Sequence, residues 1–103
     1  MEYQLRIYRI QAGKLDAFLA AWRTGVYPLR LAYGFAVVGA WVPADSREFV
    51  WVLGYDGPEG FGAADAAYYA SAERAALDPD PAQYIEHAEE RFMTAVLANS
   101  PST

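Results

Sequence analysis

The chain has 103 residues, 54% apolar, 20% charged and 16% aromatic, with a formal net charge of −5. That length suits one domain with a modest core, and so many aromatics exclude a disordered chain. Eight scattered Lys and Arg against thirteen Asp and Glu argue against nucleic acid or an anionic membrane as partner.

Cysteine is absent, which removes disulfides, thiol nucleophiles and thiolate metal sites and fits a reducing compartment. Met1 leads straight into strand-like sequence, with no basic-then-apolar leader and no apolar run of membrane length. The expected location is the cytoplasm.

From Tyr3 to Ile10 the residues alternate with period two, which predicts a strand. Tyr3, Leu5, Ile7 and Arg9 share one face and suit a core. Gln4, Arg6, Tyr8 and Ile10 share the other, a row of hydrogen-bonding side chains that suits solvent or a polar-lined cavity. After Gln11-Ala-Gly13 the pattern changes to Leu15, Phe18, Leu19, Trp22 and Val26, the spacing of an amphipathic helix. Gly25 and Pro28 weaken its end, since proline lacks the donor and crowds the preceding turn. Gly34 then offers a left-handed turn.

The stretch from Phe35 to Asp56 predicts a hairpin: one arm to Val42, a turn over Pro43 to Arg47, and a second arm from Glu48 to Tyr55. Neither arm alternates cleanly, so both faces of the sheet need cover. Pro58 and Glu59 suit the start of an alanine-rich helix over Phe61 to Leu77. Asp78-Pro-Asp-Pro81 ends it, and Asp80 is placed to cap a short helix from Pro81 to about Ala88. The last piece, Glu89 to Leu97, has helical propensity but alternates well enough for a strand.

Taken as a strand, it completes β-α-β-β-α-β, the ferredoxin-like α+β fold: a four-stranded antiparallel sheet with two helices on one face. Residues 1–98 read as one domain and 99–103 as a polar tail. The uncovered sheet face is apolar and calls for a second copy, which makes a homodimer, a dimeric α+β barrel, the expected assembly.

The order Tyr3-x-Leu-Arg-x-Tyr8, Gly13-Lys-Leu-x-x-Phe18 with Trp22, Pro28-Leu, Gly34-Phe, Val38-Gly-x-Trp41, Trp51-Val-Leu-x-Tyr55-Asp and Tyr69-x-Ser-x-Glu-Arg74 resembles NIPSNAP-type proteins. These belong to the dimeric α+β barrel superfamily, with the small antibiotic-biosynthesis monooxygenases. The resemblance implies a homodimer whose subunits each hold a cleft between sheet and helices for a small, largely apolar molecule. It also implies an acidic residue where this chain has Gln4, so no acid or base role carries over to that position.

For chemistry, Gln4, Arg6 and Tyr8 lie along one strand face in steps of about 7 Å. Arg6 is placed to hold a carboxylate or enolate and Tyr8 to donate a proton, if that face lines a cavity; otherwise Arg6 is an exposed or interface side chain. His87, the only histidine, is either a solvated neighbour of carboxylates or a general base at the mouth of the cleft. Trp41, Trp51 and Tyr55 are core aromatics at strand spacing, or walls for a flat aromatic ligand.

Tyr69 and Arg74 belong to a polar patch on the second helix that is either a surface cluster or a clamp for an anionic ligand. One histidine and no cysteine leave no metal set. Gly57, Gly60 and Gly62 are in the wrong order for a dinucleotide loop, which argues against nicotinamide and flavin cofactors.

The leading functional expectation is a cofactor-free oxidation, cyclisation or isomerisation of a hydrophobic or aromatic small molecule. The alternatives are a non-catalytic binding module and a haem-binding barrel with His87 as axial ligand.

Overall fold

A computed structural model describes residues 1–97; the expected tail, 99–103, lies outside the described residues. In chain order the elements are β1 (Glu2–Ile10), α1 (Leu15–Ala21), a π-helical stretch (Trp22–Val26), α2 (Tyr27–Ala32), β2 (Ala36–Trp41), β3 (Glu48–Tyr55), α3 (Phe61–Ala70), α4 (Ala72–Ala75), a 3-10 turn (Pro81–Tyr84) and β4 (Ile85–Met93). The sheet is antiparallel in the order β2-β3-β1-β4, with the helices on one face. The ferredoxin-like α+β fold is therefore correct.

The first helix runs past Gly25 and Pro28 instead of stopping there. Pro28 has no N–H to donate to Thr24, and the chain absorbs the loss by widening: Tyr27 N–H bonds Trp22 O, five residues back, and Thr24 Oγ1 donates to Ala20 O at 2.9 Å. The wider turn keeps Trp22, Val26 and Arg30, spaced by four, on the buried side. Gly34, at φ +88, then reverses the chain, and Phe35 N–H reaches back to Arg30 O at 3.0 Å, a Schellman closure.

Orientation of β1 is opposite to the hydrophobic reading. Gln4, Arg6, Tyr8 and Ile10 are buried beneath the helices, and Tyr3, Leu5 and Ile7 lie half-buried on the open face. The apolar content of the two faces differs little. What decides between them is that the helix side supplies hydrogen-bond partners for Arg6. Around this row Phe18, Trp22, Phe49, Trp51 and Leu53 form the core, with Trp22 and Phe18 each 5.0 Å from the Phe49 ring. Each such ring contributes roughly 2–3 kcal/mol by burial.

The C-terminal third also departs from expectation. The second helix breaks at Ser71, whose extended backbone (ψ 148) starts the short α4, and whose Oγ accepts from Arg74 N at 3.1 Å. Asp80 does cap the next turn, accepting from Ala82 N at 2.9 Å, but that turn ends at Tyr84. Ile85 to Met93 is strand, so His87 lies on β4 opposite Arg9 and not on a helix. Pairing with β1 along its whole length overrides the helical propensity of this polar segment.

Candidate functional site

Arg6 and Arg30 are both fully buried and share one carboxylate. Asp65, the sole charged residue of α3, receives Arg6 Nη2 at 3.1 and 3.2 Å and Arg30 Nη1 at 2.7 Å. Arg6 also donates from Nε to Gln4 Oε1 at 2.7 Å and from Nη1 to the Tyr69 hydroxyl at 2.9 Å, with the half-exposed Glu90 3.6 Å away. Arg30 stacks over Tyr68, 3.8 Å from the ring centroid.

Burial pulls the Arg6 pKa down, but the Tyr8 and Tyr69 hydroxyls and Asp65 outweigh it, and the net direction is up. Arg6 is a permanent cation that organises the floor of the site.

Beside this cluster, a cavity of about 70 Å³ opens between sheet and helices. Tyr8 and Trp51 come from the sheet, Trp22 from the first helix, Tyr68 and Tyr69 from α3, and Arg74 from α4. Burial raises the Tyr8 pKa above its ordinary 10, with Arg6 opposing, so its hydroxyl keeps its proton across the physiological range. Arg74 Nη2 pairs with Asp80 Oδ1 at 3.1 Å, which ties α4 to the turn that closes the cavity. Three buried polar atoms on these walls find no hydrogen-bond partner in the described protein, Trp22 Nε1, Tyr68 OH and Arg74 Nε, and a fourth, Trp51 Nε1, has only the Tyr8 hydroxyl before it, too poorly aligned for a full bond.

Of the residues singled out in the sequence, Tyr8, Trp51, Tyr69 and Arg74 meet at this cavity, with Gln4 and Arg6 directly behind it. Three do not. His87 pairs with Arg9 on the open face, away from Arg6 and Tyr8, and does not line the cavity. Trp41 is turned to the open face because Val38 is an extra residue in β2: Val37 pairs with Leu53, yet Gly39 pairs with Val52, so every later residue changes side. Tyr55 packs on Phe35, ring centroids 5.0 Å apart, and hydrogen-bonds Glu59.

Arg30 and Asp65 do not stand out in the sequence reading, and Trp22 and Tyr68 enter it only as helix-face residues. Arg30 continues the four-residue step of Trp22 and Val26, and Asp65 is a lone charge among alanines one helical turn from Tyr68 and Tyr69. Either oddity points to a buried ion pair.

Larger hollows of about 530 and 320 Å³ lie where the ends of β1 and β4 meet and on the open sheet face, neither lined by an unpartnered buried donor, and one of about 200 Å³ lies among Leu19, Trp22, Arg23, Trp41 and Phe49, sharing Trp22 with the cleft. Among the described residues no group of three or more His, Cys, Asp or Glu is placed to hold a metal ion, and no helix is long and apolar enough to cross a membrane.

The fold and cleft define a ferredoxin-like α+β domain with an aromatic-walled cavity under its helices. The chain belongs to the NIPSNAP family, whose model matches residues 3–100. Among solved structures, a NIPSNAP domain protein from Burkholderia xenovorans is 26% identical, with 98% of this chain and 99% of that chain covered and a TM-score of 0.81. A NIPSNAP family protein from Agrobacterium tumefaciens is 20% identical over 97% and 96%, TM-score 0.81. A putative antibiotic biosynthesis monooxygenase from Nitrosomonas europaea shares the fold at 16% identity over 94% and 100%, TM-score 0.70. No curated protein matches the chain.

Proposed function

We propose that two copies of this chain pack open face to open face, and that each subunit binds a small hydrophobic or aromatic molecule in its helix–sheet cleft and transforms it without a cofactor. The observation that carries the reading is the cleft itself: Tyr8, Phe18, Trp22, Trp51 and Tyr68 place five aromatic rings around one cavity that also holds buried hydrogen-bond donors.

At about 70 Å³ the cavity encloses only the reacting end of such a molecule, being well below the roughly 300 Å³ of an ordinary ligand pocket. The remainder lies against Tyr69 at the mouth, which is 48% exposed.

The chemistry that suits these residues passes through an enolate or phenolate. Tyr8, neutral and backed by Arg6, donates to the oxygen on which charge develops. Cofactor-free oxidation fits this scheme: the anthrone gives a ring C–H proton to solvent water to become its enolate, the enolate gives electrons to dioxygen, the ring CH2 becomes C=O, and the dioxygen ends as the new carbonyl oxygen and one water. The likeness in fold to a putative antibiotic biosynthesis monooxygenase supports choosing this member of the class.

The test is oxygen uptake with a phenolic anthrone in chelator-treated buffer. Uptake above the buffer rate that falls ten- to a hundredfold in Tyr8→Phe is expected. A wild-type rate equal to buffer counts against oxidation.

A second reading, a binding module without turnover, draws on one feature: no lining side chain is a carboxylate or an imidazole, and nearby Asp65 and Asp80 are each held by arginine. Saturable binding of the anthrone with no product formed favours that reading.

A further inference from the structure

We infer that the enclosed end of the ligand is an anionic oxygen group, a carboxylate or enolate, held by Arg74 together with the indole N–H groups of Trp22 and Trp51. This rests on the helix–sheet cavity being the binding site and names what it selects.

The four wall atoms without a full hydrogen bond are all donors, and three of them can do nothing else: an indole N–H and a guanidinium N–H have no lone pair to offer. Their burial is nearly complete, with Trp22 6%, Trp51 1% and Tyr68 0% exposed. Buried donors left unpaired are costly, and natural proteins seldom keep several together without a use.

A group that satisfies the three donor-only atoms has to accept several hydrogen bonds at once, which an oxyanion does best. A single water can give its two protons to the tyrosine hydroxyls of the lining but accepts only two hydrogen bonds, whereas a carboxylate accepts about four. The surrounding charge favours the same occupant. Arg6, Arg30 and Arg74 all stand within 6.0 Å of the Tyr69 ring centroid. Two of the opposing carboxylates, Asp80 and Glu90, are half exposed and therefore screened. Arg74 spends Nη2 on Asp80 and keeps Nε–H for the ligand.

The test uses the Trp41→Phe protein, in which Trp22 and Trp51 are the remaining indoles. Their fluorescence and the thermal midpoint are followed with benzoate, benzyl alcohol and acetate. Benzoate is expected to bind at least about tenfold more tightly than benzyl alcohol, with acetate binding weakly at the same site and competing. Arg74→Gln should lose about tenfold or more for benzoate and little for benzyl alcohol, the expected worth of a charge-assisted hydrogen bond.

Trp22→Phe and Trp51→Phe keep the core shape and remove one donor each. Severalfold losses confined to benzoate are expected, which keeps the test open if Arg74→Gln does not fold. Equal affinity for benzoate and benzyl alcohol, unchanged in these variants, overturns the anion assignment and leaves the cavity as a binding site. If neither aromatic probe nor acetate perturbs fluorescence or midpoint, the cavity reading itself fails.

Discussion

Arg30 Nη1 and Asp65 Oδ1, from two helices and 35 residues apart in the chain, meet at 2.7 Å on the buried face of the sheet. The same carboxylate holds Arg6, so it is the counter-charge shared by two cations that have lost their water, with the half-exposed Glu90 adding a longer contact to Arg6 alone. Asp65→Asn should destabilise the protein by about 2–3 kcal/mol, reduced from the usual cost of breaking a buried pair because Asp65 is 23% exposed on its side chain. Urea unfolding measures it. A loss below about 1 kcal/mol would mean that the arginines find other compensation.

Acid should act through Asp80. Partial burial works to raise its pKa, but hydrogen bonds from Arg74 and from Ala82 N–H, with the Arg74 charge, bring it below the ordinary 3.8. A carboxylate with a depressed folded pKa contributes stability above the unfolded value and loses it as the pH falls through the folded one. Stability should therefore decline below about pH 4, and Asp80→Asn should flatten that decline. An identical acid profile in the variant refutes the assignment.

At the alkaline end, Tyr8 and Tyr68 are raised above 10 chiefly by burial, and Tyr55 by its hydrogen bond to Glu59. A raised folded pKa gives stability below the unfolded value of 10 and loses it as the pH climbs through the folded one. In a spectrophotometric titration, three of the eight tyrosines should ionise late. Tyr8→Phe should remove one from the late class. Eight equivalent groups titrating near 10 would contradict it.

Ser71 joins α3 to α4 by accepting from Arg74 N and donating to Tyr68 O at 2.6 Å. Ser71→Ala should cost about 1 kcal/mol, as an N-cap does. Because both partners line the cavity, ligand affinity should fall as well. Unchanged affinity alongside the expected stability loss would show that Arg74 is positioned by Asp80 alone.

The open face has its own test. Leu5 and Val52 face each other across β1 and β3 there. If this face is covered by a second copy, the wild type should sediment at about twice 11.4 kDa and Val52→Glu at about the single mass. A wild type of single-chain mass at micromolar concentration ends the dimer proposal.

Much of the architecture was legible because periodicity is local. The first helix, the hairpin and β1 follow from spacing that a short stretch of chain carries by itself, and Arg6, Tyr8, Trp51, Tyr69 and Arg74 stood out as residues whose polar atoms need partners. What the sequence could not disclose depends on which distant group supplies a partner. β1 turned its polar row inward because Asp65 and Tyr69 were waiting there.

One inserted residue at Val38 reversed Trp41, and pairing with β1 drew His87 out of a helix and onto the far face. Composition, element order and the resemblance to NIPSNAP proteins were thus set by the chain alone. The site was decided by tertiary structure, because hydrogen bonds and bulges, not hydrophobicity, chose which side of the sheet each functional side chain faces.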